Sequence, residues 1–149
     1  MPDTKYVGHE VTANFFAPTI QNNGVFYTDS NALEMQKRIL NFRPTWNLTT
    51  VDNLNITANY YPVNSAISII DEATNIQMVV MNDRSQGGSV LVDGRIELMQ
   101  NRRLNKDDWR GMGDPLNEVD STGNGIKVPA TYYVQLFNRA TRPALQRTV

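Results

Sequence analysis

The sequence has no cysteine and a single histidine, His9, among its 149 residues. Without cysteine the chain can form neither a disulfide nor a thiolate metal site. A catalytic zinc site usually needs two or three histidines, and nothing in the sequence supports a Ser-His-Asp triad built on His9. We therefore interpret His9 as a surface residue, and we assign no catalytic residue and no metal ligand in this chain.

An excess of one charge and long apolar runs are also missing. The formal net charge is −1, and like charges form no block longer than a pair such as Arg102-Arg103, so binding to nucleic acid is not expected. No apolar run approaches the roughly 18 residues of a membrane span, and the first residues lack the apolar segment of a signal peptide. We expect a soluble chain that does not bind a membrane.

Short stretches of β-forming residues alternate with turn residues along the chain. This pattern predicts an all-β sandwich in a single domain over residues 1–149. Hydrophobic residues make up 40% of the chain, which is enough for one core. The predicted strands include residues 11–16, 25–28, 65–70, 76–81 and 131–137, between an arm at residues 1–10 and a tail at residues 138–149.

A β-hairpin is predicted around Asp93-Gly94, because a two-residue Asx-Gly loop accepts the positive φ angles that a tight turn requires. A turn is also predicted at Asn22-Asn23-Gly24, because Asn and Gly accept left-handed backbone geometry. Alternation along the second strand places Ile96 and Leu98 on one face, and the same parity would turn Arg102 inward. A bulge further along the strand would instead leave Arg102 in solvent. The sequence leaves both outcomes open.

Two other segments are predicted to be loops. The Gly87-Gly88 pair is interpreted as part of a turn-containing loop at residues 84–89. The polar stretch at residues 47–58 carries two N-glycosylation sequons, at Asn47 and Asn55. Sequons in an exposed loop are typical of a chain made in the secretory pathway.

A series of short motifs runs through the chain from residue 24 to residue 118. They are residues 26–31 (FYTDSN), 43–46 (RPTW), 59–64 (NYYPVN), 83–89 (DRSQGGS), 93–94 (DG), 97–99 (ELM), 102–104 (RRL) and 106–111 (KDDWRG). In this order they resemble the C-terminal region of the class II α-mannosidases, glycoside hydrolase family 38, and within that family the lysosomal-type branch.

The resemblance also bears on residues 32–40, whose propensity favours a helix. The family has an extended segment here, so we predict a strand. Where the family commonly has glycine, this chain has Ala32. If that position needs a positive φ, the alanine adds strain.

The resemblance implies that the chain is a C-terminal fragment of a larger retaining α-mannosidase, which removes α-linked mannose from glycans. The fold would be part of a large twisted β-sandwich of the galactose-mutarotase-like kind. Zinc would be held by His and Asp residues of an N-terminal catalytic domain, so we expect no cofactor in this chain. That domain and a mannose-containing glycan are the expected partners, and the lysosome or secretory pathway is the expected location.

Arg110 and Asp108 are the candidate substrate-binding residues. The resemblance places their motif in a loop that faces the catalytic domain, and the Arg110 guanidinium can hydrogen-bond sugar hydroxyls or a carboxylate. A structural salt bridge among Arg110, Asp107 and Asp108 is the other interpretation of the same residues, and it stays open.

A free-standing carbohydrate-binding module is the alternative function. Its sugar-stacking residues would be Trp46, Tyr60, Tyr61 and Trp109, although we favour core packing for these four side chains. If the chain is a fragment of a large sandwich, its strand edges and one face are exposed. Self-association through those edges is therefore expected.

Overall fold

A computed structural model of the chain describes residues 10–48, 56–102, 111 and 118–141, and most of them lie in β-strands. Within these ranges the strands are β1 (Glu10–Phe16), β2 (Val25–Ser30), β3 (Glu34–Ile39), β4 (Tyr61–Val63), β5 (Ala66–Asp71), β6 (Ile76–Asn82), β7 (Gln86–Val92), β8 (Arg95–Arg102) and β9 (Tyr132–Asn138). A short 3-10 helix covers Thr57–Asn59. No helix in the described ranges is long and apolar enough to cross a membrane.

The strands form two antiparallel sheets that enclose a common core. The strand order is β1-β8-β7-β4 in the four-stranded sheet and β3-β2-β5-β6-β9 in the five-stranded sheet. The all-β sandwich expected from the sequence is thus confirmed. Its core consists of Ile20, Phe26, Tyr61, Val63, Ile67, Ile69, Met78, Val80, Val90, Ile96 and Leu98.

Two tight turns from distant parts of the chain hold each other. Asn22 Oδ1 accepts the N–H of Gly94 at 2.8 Å, and the Asp93 carboxylate accepts the N–H groups of Gly24 and Asn23 at 2.9 and 3.1 Å. Asn23, Gly24 and Gly94 have φ angles of 49°, 68° and 73°. Both turns predicted from the Asn-Gly and Asp-Gly pairs are therefore present.

Residues 32–40 contain strand β3. The predicted strand is therefore confirmed, although the propensity of these residues favours a helix. β3 pairs with β2 over its whole length, and this pairing outweighs the weak local preference. Ala32, in the preceding turn, has a φ of 58°, a conformation that costs a non-glycine residue about 1–2 kcal/mol. Its N–H donates to the Asp29 carboxylate at 2.8 Å, which helps to hold the strained turn.

The prediction of a loop at residues 84–89 is wrong from Gln86 onward, because strand β7 begins there and contains Gly87 and Gly88. A Cβ on Gly88 would point into the core and approach Val63 Cγ2 to 2.7 Å, whereas a Cβ on Gly87 would meet the Tyr60 ring at 3.2 Å. The two glycines therefore make room for side chains on opposite faces of the sheet.

Strand β8 follows the predicted alternation only over its first half. Ile96 and Leu98 are fully buried, but the register with β1 shifts by one residue at Gln100. The bulge leaves Arg102 exposed, 3.6 Å from Glu10. The interpretation that Arg102 points inward is therefore wrong, and the bulge is the reason.

Candidate functional site

The DRSQGGS motif fixes the start of strand β9. Asp83 Oδ2 accepts the N–H of Thr131 at 3.0 Å, and Arg84 donates to the carbonyl of Pro129 at 2.6 Å. Arg84 also pairs with Asp83 at 2.9 Å, and its hydrogen bond holds the pKa of Asp83 below the ordinary value. These contacts attach β9 to the corner between β6 and β7.

A polar cluster of Gln86, Gln100 and Tyr132 lies close to the end of β8. Gln86 Nε2 donates to the Met99 carbonyl and to the Tyr132 hydroxyl, both at 2.8 Å. The hydroxyl in turn donates to Gln86 Oε1 at 3.0 Å, and Gln100 Nε2 donates to the hydroxyl. The cluster ties β7, β8 and β9 together across the two sheets.

Tyr60 covers the outer face of the four-stranded sheet. Its ring lies over Gly87, and its hydroxyl donates to the Glu97 carboxylate. Burial, the hydrogen bond to Glu97 and the nearby Glu10 charge raise the pKa of Tyr60 well above its ordinary value. The phenol therefore stays protonated at neutral pH and acts as a hydrogen-bond donor.

The FYTDSN motif contains a buried carboxylate, that of Asp29, which is 4% exposed. Its Oδ1 accepts the N–H groups of three consecutive residues, Asn64, Ser65 and Ala66, at 2.8 to 3.1 Å. Burial alone would raise the pKa of Asp29, but the hydrogen bonds from Ser65, Ala66 and Ala32 lower it below the ordinary value. Asp29 therefore connects two turns and is not placed to exchange protons with a ligand.

The two candidate substrate-binding residues, Arg110 and Asp108, lie outside the described residues, and so does Asp107. The chain reaches them from Arg102, where β8 ends just beyond the polar cluster. Both interpretations of Arg110, substrate contact and structural salt bridge, stay predictions.

The four aromatic residues considered for sugar stacking have different environments. Tyr61 is 7% exposed and packs edge-to-face on Phe26, with ring centroids 5.7 Å apart, so core packing is confirmed for it. Tyr60 is half-buried against the sheet. Core packing is wrong for Trp46, which is 52% exposed because it lies in the turns that follow β3. Trp109 lies outside the described residues.

Two arginines lie against Tyr61: Arg43, from the RPTW motif, and Arg38, which no sequence motif contains. The guanidinium carbons of Arg38 and Arg43 are 4.5 and 4.7 Å from the centroid of its ring. The pairing of β2 with β3 places Arg38 opposite the core residue Phe26. A correct hairpin register would therefore have indicated that Arg38 faces the core side of its sheet.

Of the two predicted N-glycosylation sites, Asn47 and Asn55, the first lies among the described residues. Asn47 is exposed, as the loop prediction requires. Asn55 lies outside the described residues, and glycosylation at either position stays a prediction.

No group of three or more His, Cys, Asp or Glu residues able to hold a metal ion occurs among the described residues. His9, Asp107 and Asp108 fall outside those ranges. Three of the motif carboxylates in the described part of the sandwich, those of Asp29, Asp83 and Asp93, accept backbone N–H groups instead. These three residues therefore serve turns and strand starts.

Comparison with known proteins identifies the family. The sequence model of the glycosyl hydrolases family 38 C-terminal domain matches residues 9–110. The chain belongs to this family. It is 46% identical over 140 residues to the lysosomal alpha-mannosidase of Bos taurus, covering 94% of this chain and 13% of the relative. The Homo sapiens lysosomal alpha-mannosidase is 46% identical over 129 residues, 87% of this chain and 12% of the relative.

A more distant relative agrees with this assignment. The lysosomal alpha-mannosidase of Dictyostelium discoideum is 42% identical over 112 residues, covering 75% of this chain and 11% of the relative. The chain thus spans about one-eighth of the length of the relatives it matches. The resemblance to class II α-mannosidases is confirmed, and those motifs of this family 38 domain that lie among the described residues serve mainly turns, strand starts and packing between the sheets.

Proposed function

We propose that this family 38 domain is part of an α-mannosidase that hydrolyses α-linked mannose from glycans. Residues 1–149 would form one β-domain that supports and partly lines an active site shared with an N-terminal catalytic domain. The 46% identity to lysosomal alpha-mannosidases over most of the chain is the observation that carries this proposal. The lysosome, reached through the secretory pathway, is the location that these relatives suggest for the whole protein.

The described contacts support a positioning role. The polar cluster and the Asp83–Arg84 pair fix the strands around the end of β8, from which the chain continues to Arg110. A rigid base of this kind suits a loop that must hold a side chain against a substrate. The two sheets would form part of the larger mutarotase-like sandwich of the parent protein.

Zinc is expected in the parent protein, but the described residues of this chain do not fit it. A zinc site needs three or four clustered ligands, and no such cluster occurs in the described ranges. We therefore assign the ion and its ligands to the N-terminal domain. No role in zinc binding is proposed for any residue of this chain.

A chimeric enzyme tests the proposed function. The matching segment of the Bos taurus lysosomal alpha-mannosidase would be replaced by this chain, and hydrolysis of p-nitrophenyl-α-mannoside would be measured. We expect the chimera to hydrolyse the substrate and the isolated 149-residue chain to be inactive. The Gly88→Val chimera should fail to fold, because the valine side chain overfills the core. A folded but inactive chimera, or chelator-sensitive turnover by the isolated chain, would contradict the proposal.

Arg110 can be tested in the same chimera. Arg110→Ala should lower kcat/KM by roughly 5- to 150-fold, the equivalent of about 1–3 kcal/mol for a lost charge-assisted contact. Arg139→Ala is the matched control, because Arg139 forms a surface ion pair with Glu72 at 2.9 Å. Near-normal kcat/KM in a folded Arg110→Ala chimera would leave Arg110 a structural residue.

The exposed Trp46 favours a second candidate, a carbohydrate-binding module that acts without the catalytic domain. An exposed aromatic ring beside a sheet edge is a typical sugar-stacking surface. Binding of the isolated chain to a glycan array, lost in the Trp46→Ala variant, would support this function. An array without any bound glycan would exclude it.

A further inference from the structure

A pocket of about 350 Å³ opens where the edge strands β3 and β4 of the two sheets approach each other. Its lining includes Lys37, Arg38, Phe42, Arg43 and Tyr61. The volume lies near the lower end of the range for small-molecule sites. Three of these five residues are cations.

The two guanidinium groups are held in place by neutral partners. Arg38 Nε donates to Thr28 Oγ1 at 3.1 Å. Arg43 donates twice to the Ala58 carbonyl, at 2.8 Å from Nη2 and 3.3 Å from Nε. Both groups also stack near the Tyr61 ring, at 4.5 and 4.7 Å from its centroid. Their positions are thus fixed by contacts that do not neutralise their charge.

The charge of the pocket is not balanced within the described part of the chain. None of the ion pairs found there involves Lys37, Arg38 or Arg43. An arginine has five N–H donors, so with respect to the described residues Arg38 keeps both terminal nitrogens available and Arg43 keeps Nη1. Fixed guanidinium donors of this kind match the geometry of phosphate, sulfate and carboxylate oxygens.

An aromatic surface adjoins the cations. Phe42 lines the pocket and is 53% exposed, and Trp46 is 52% exposed. The Arg43 guanidinium carbon lies 6.0 Å from the centroid of the Trp46 ring. A ligand whose oxyanion reaches Arg43 can therefore place an attached ring against Trp46.

We propose that this pocket binds a sugar carrying a phosphate or sulfate ester. Arg38 and Arg43 bind the tetrahedral oxyanion, Lys37 adds positive charge at the edge of the pocket, and the apolar face of the sugar ring stacks on Trp46. The sugar component rests on the proposed glycan-hydrolysing function, whereas the oxyanion site rests only on the geometry of the pocket. Occupation of the pocket requires no catalytic step.

Titration calorimetry on the full 149-residue chain tests the proposal with four probes at constant ionic strength: glucose 6-phosphate, glucose 6-sulfate, inorganic phosphate and glucose. Saturable binding of both sugar esters is expected, tighter than that of inorganic phosphate, with none for glucose. The two esters distinguish a phosphate site from a sulfate site. Equal or tighter binding of inorganic phosphate would overturn the sugar component, and no binding of any anion would overturn the whole site.

Matched variants locate the site. Arg43→Gln should weaken glucose 6-phosphate binding about tenfold or more, since a charge-assisted hydrogen bond is lost. The exposed Lys37→Gln should weaken it roughly threefold, whereas Lys127→Gln removes an equally exposed cation elsewhere and should change nothing. Trp46→Ala should weaken binding of the sugar ester but not of inorganic phosphate. Equal effects of Lys37→Gln and Lys127→Gln would show nonspecific charge attraction and overturn the site.

The variants also distinguish weaker binding caused by the loss of a ligand contact from weaker binding caused by unfolding. Arg43 anchors the Ala58 segment, so its substitution can destabilise the chain. Lys37 and Trp46 are exposed, and their variants should keep the thermal unfolding temperature of the original chain. Because the measurement uses no mannoside hydrolysis, an inactive chimera would leave the oxyanion result standing.

Discussion

Gly88 is a position where one added methyl group should overpack the core of the sandwich. A Cβ there would lie 2.7 Å from Val63 Cγ2, 2.9 Å from Leu98 Cδ2 and 3.3 Å from Ile67 Cδ1. All three neighbours are fully buried, and a close-packed core gives them little room to move. Overpacking costs about 1–3 kcal/mol, and the reduced freedom of the unfolded chain offsets about 0.4–1 kcal/mol.

The Gly88→Ala variant should therefore lose roughly 1–2 kcal/mol of unfolding free energy, which lowers Tm by roughly 2–8 °C in a chain of this size. Urea unfolding followed by circular dichroism measures the loss. Gly87→Ala is the matched control, since its Cβ would meet only the edge of the half-buried Tyr60 ring at 3.2 Å. If the two variants were equally stable, the close contact between the sheets at Gly88 would be refuted.

Three further predictions concern pH, glycosylation and association. The pKa of Asp29 is lower in the folded chain than in the unfolded chain, where it is about 3.9. The Asp29 carboxylate therefore stabilises the fold fully above a pH of about 3.9, and this stabilisation is lost as the pH falls through the folded pKa. Asp29→Asn should be less stable at neutral pH and lose less in acid, and equal acid slopes in urea unfolding would contradict this. Expression in a eukaryotic secretory pathway should add glycan at Asn47, Asn55 or both, whereas unchanged gel mobility after treatment with a glycan-removing amidase would speak against it. At high concentration the chain should self-associate through edges that bear the exposed Val134 and Leu136, and a monodisperse monomer in light scattering would reject this.

Turn chemistry was the most reliable guide to the fold. The Asn23-Gly24 and Asp93-Gly94 turns follow from residues that tolerate positive φ, and both occur as predicted. The strain expected at Ala32 also occurs, because a tight hairpin turn imposes its backbone geometry on whichever residue occupies it. Such features depend on a few neighbouring residues, which is why the sequence alone indicates them.

Features that depend on contacts between residues far apart in the sequence could not be predicted from local patterns. Gly88 looks like a loop residue until Val63 and Leu98 are known to close over it. Strand β4 is not among the predicted strands; it contains Pro62, and it lies at the edge of its sheet, where proline is tolerated. The stacking of Arg43 on Tyr61 requires residues 18 positions apart to meet, and no local pattern encodes that contact.

The pairing of β1 with β8 has a consequence for the order in which the chain assembles during translation. Phe16 pairs with Arg95 and Glu10 with Arg102, so the neighbour that β1 has among the described strands is complete only after β8 has been synthesised. At about 5–20 residues per second, that interval lasts roughly 4–16 s. During that interval β1 lacks its β8 partner, and an unpaired strand of this kind is a binding site for a chaperone during synthesis.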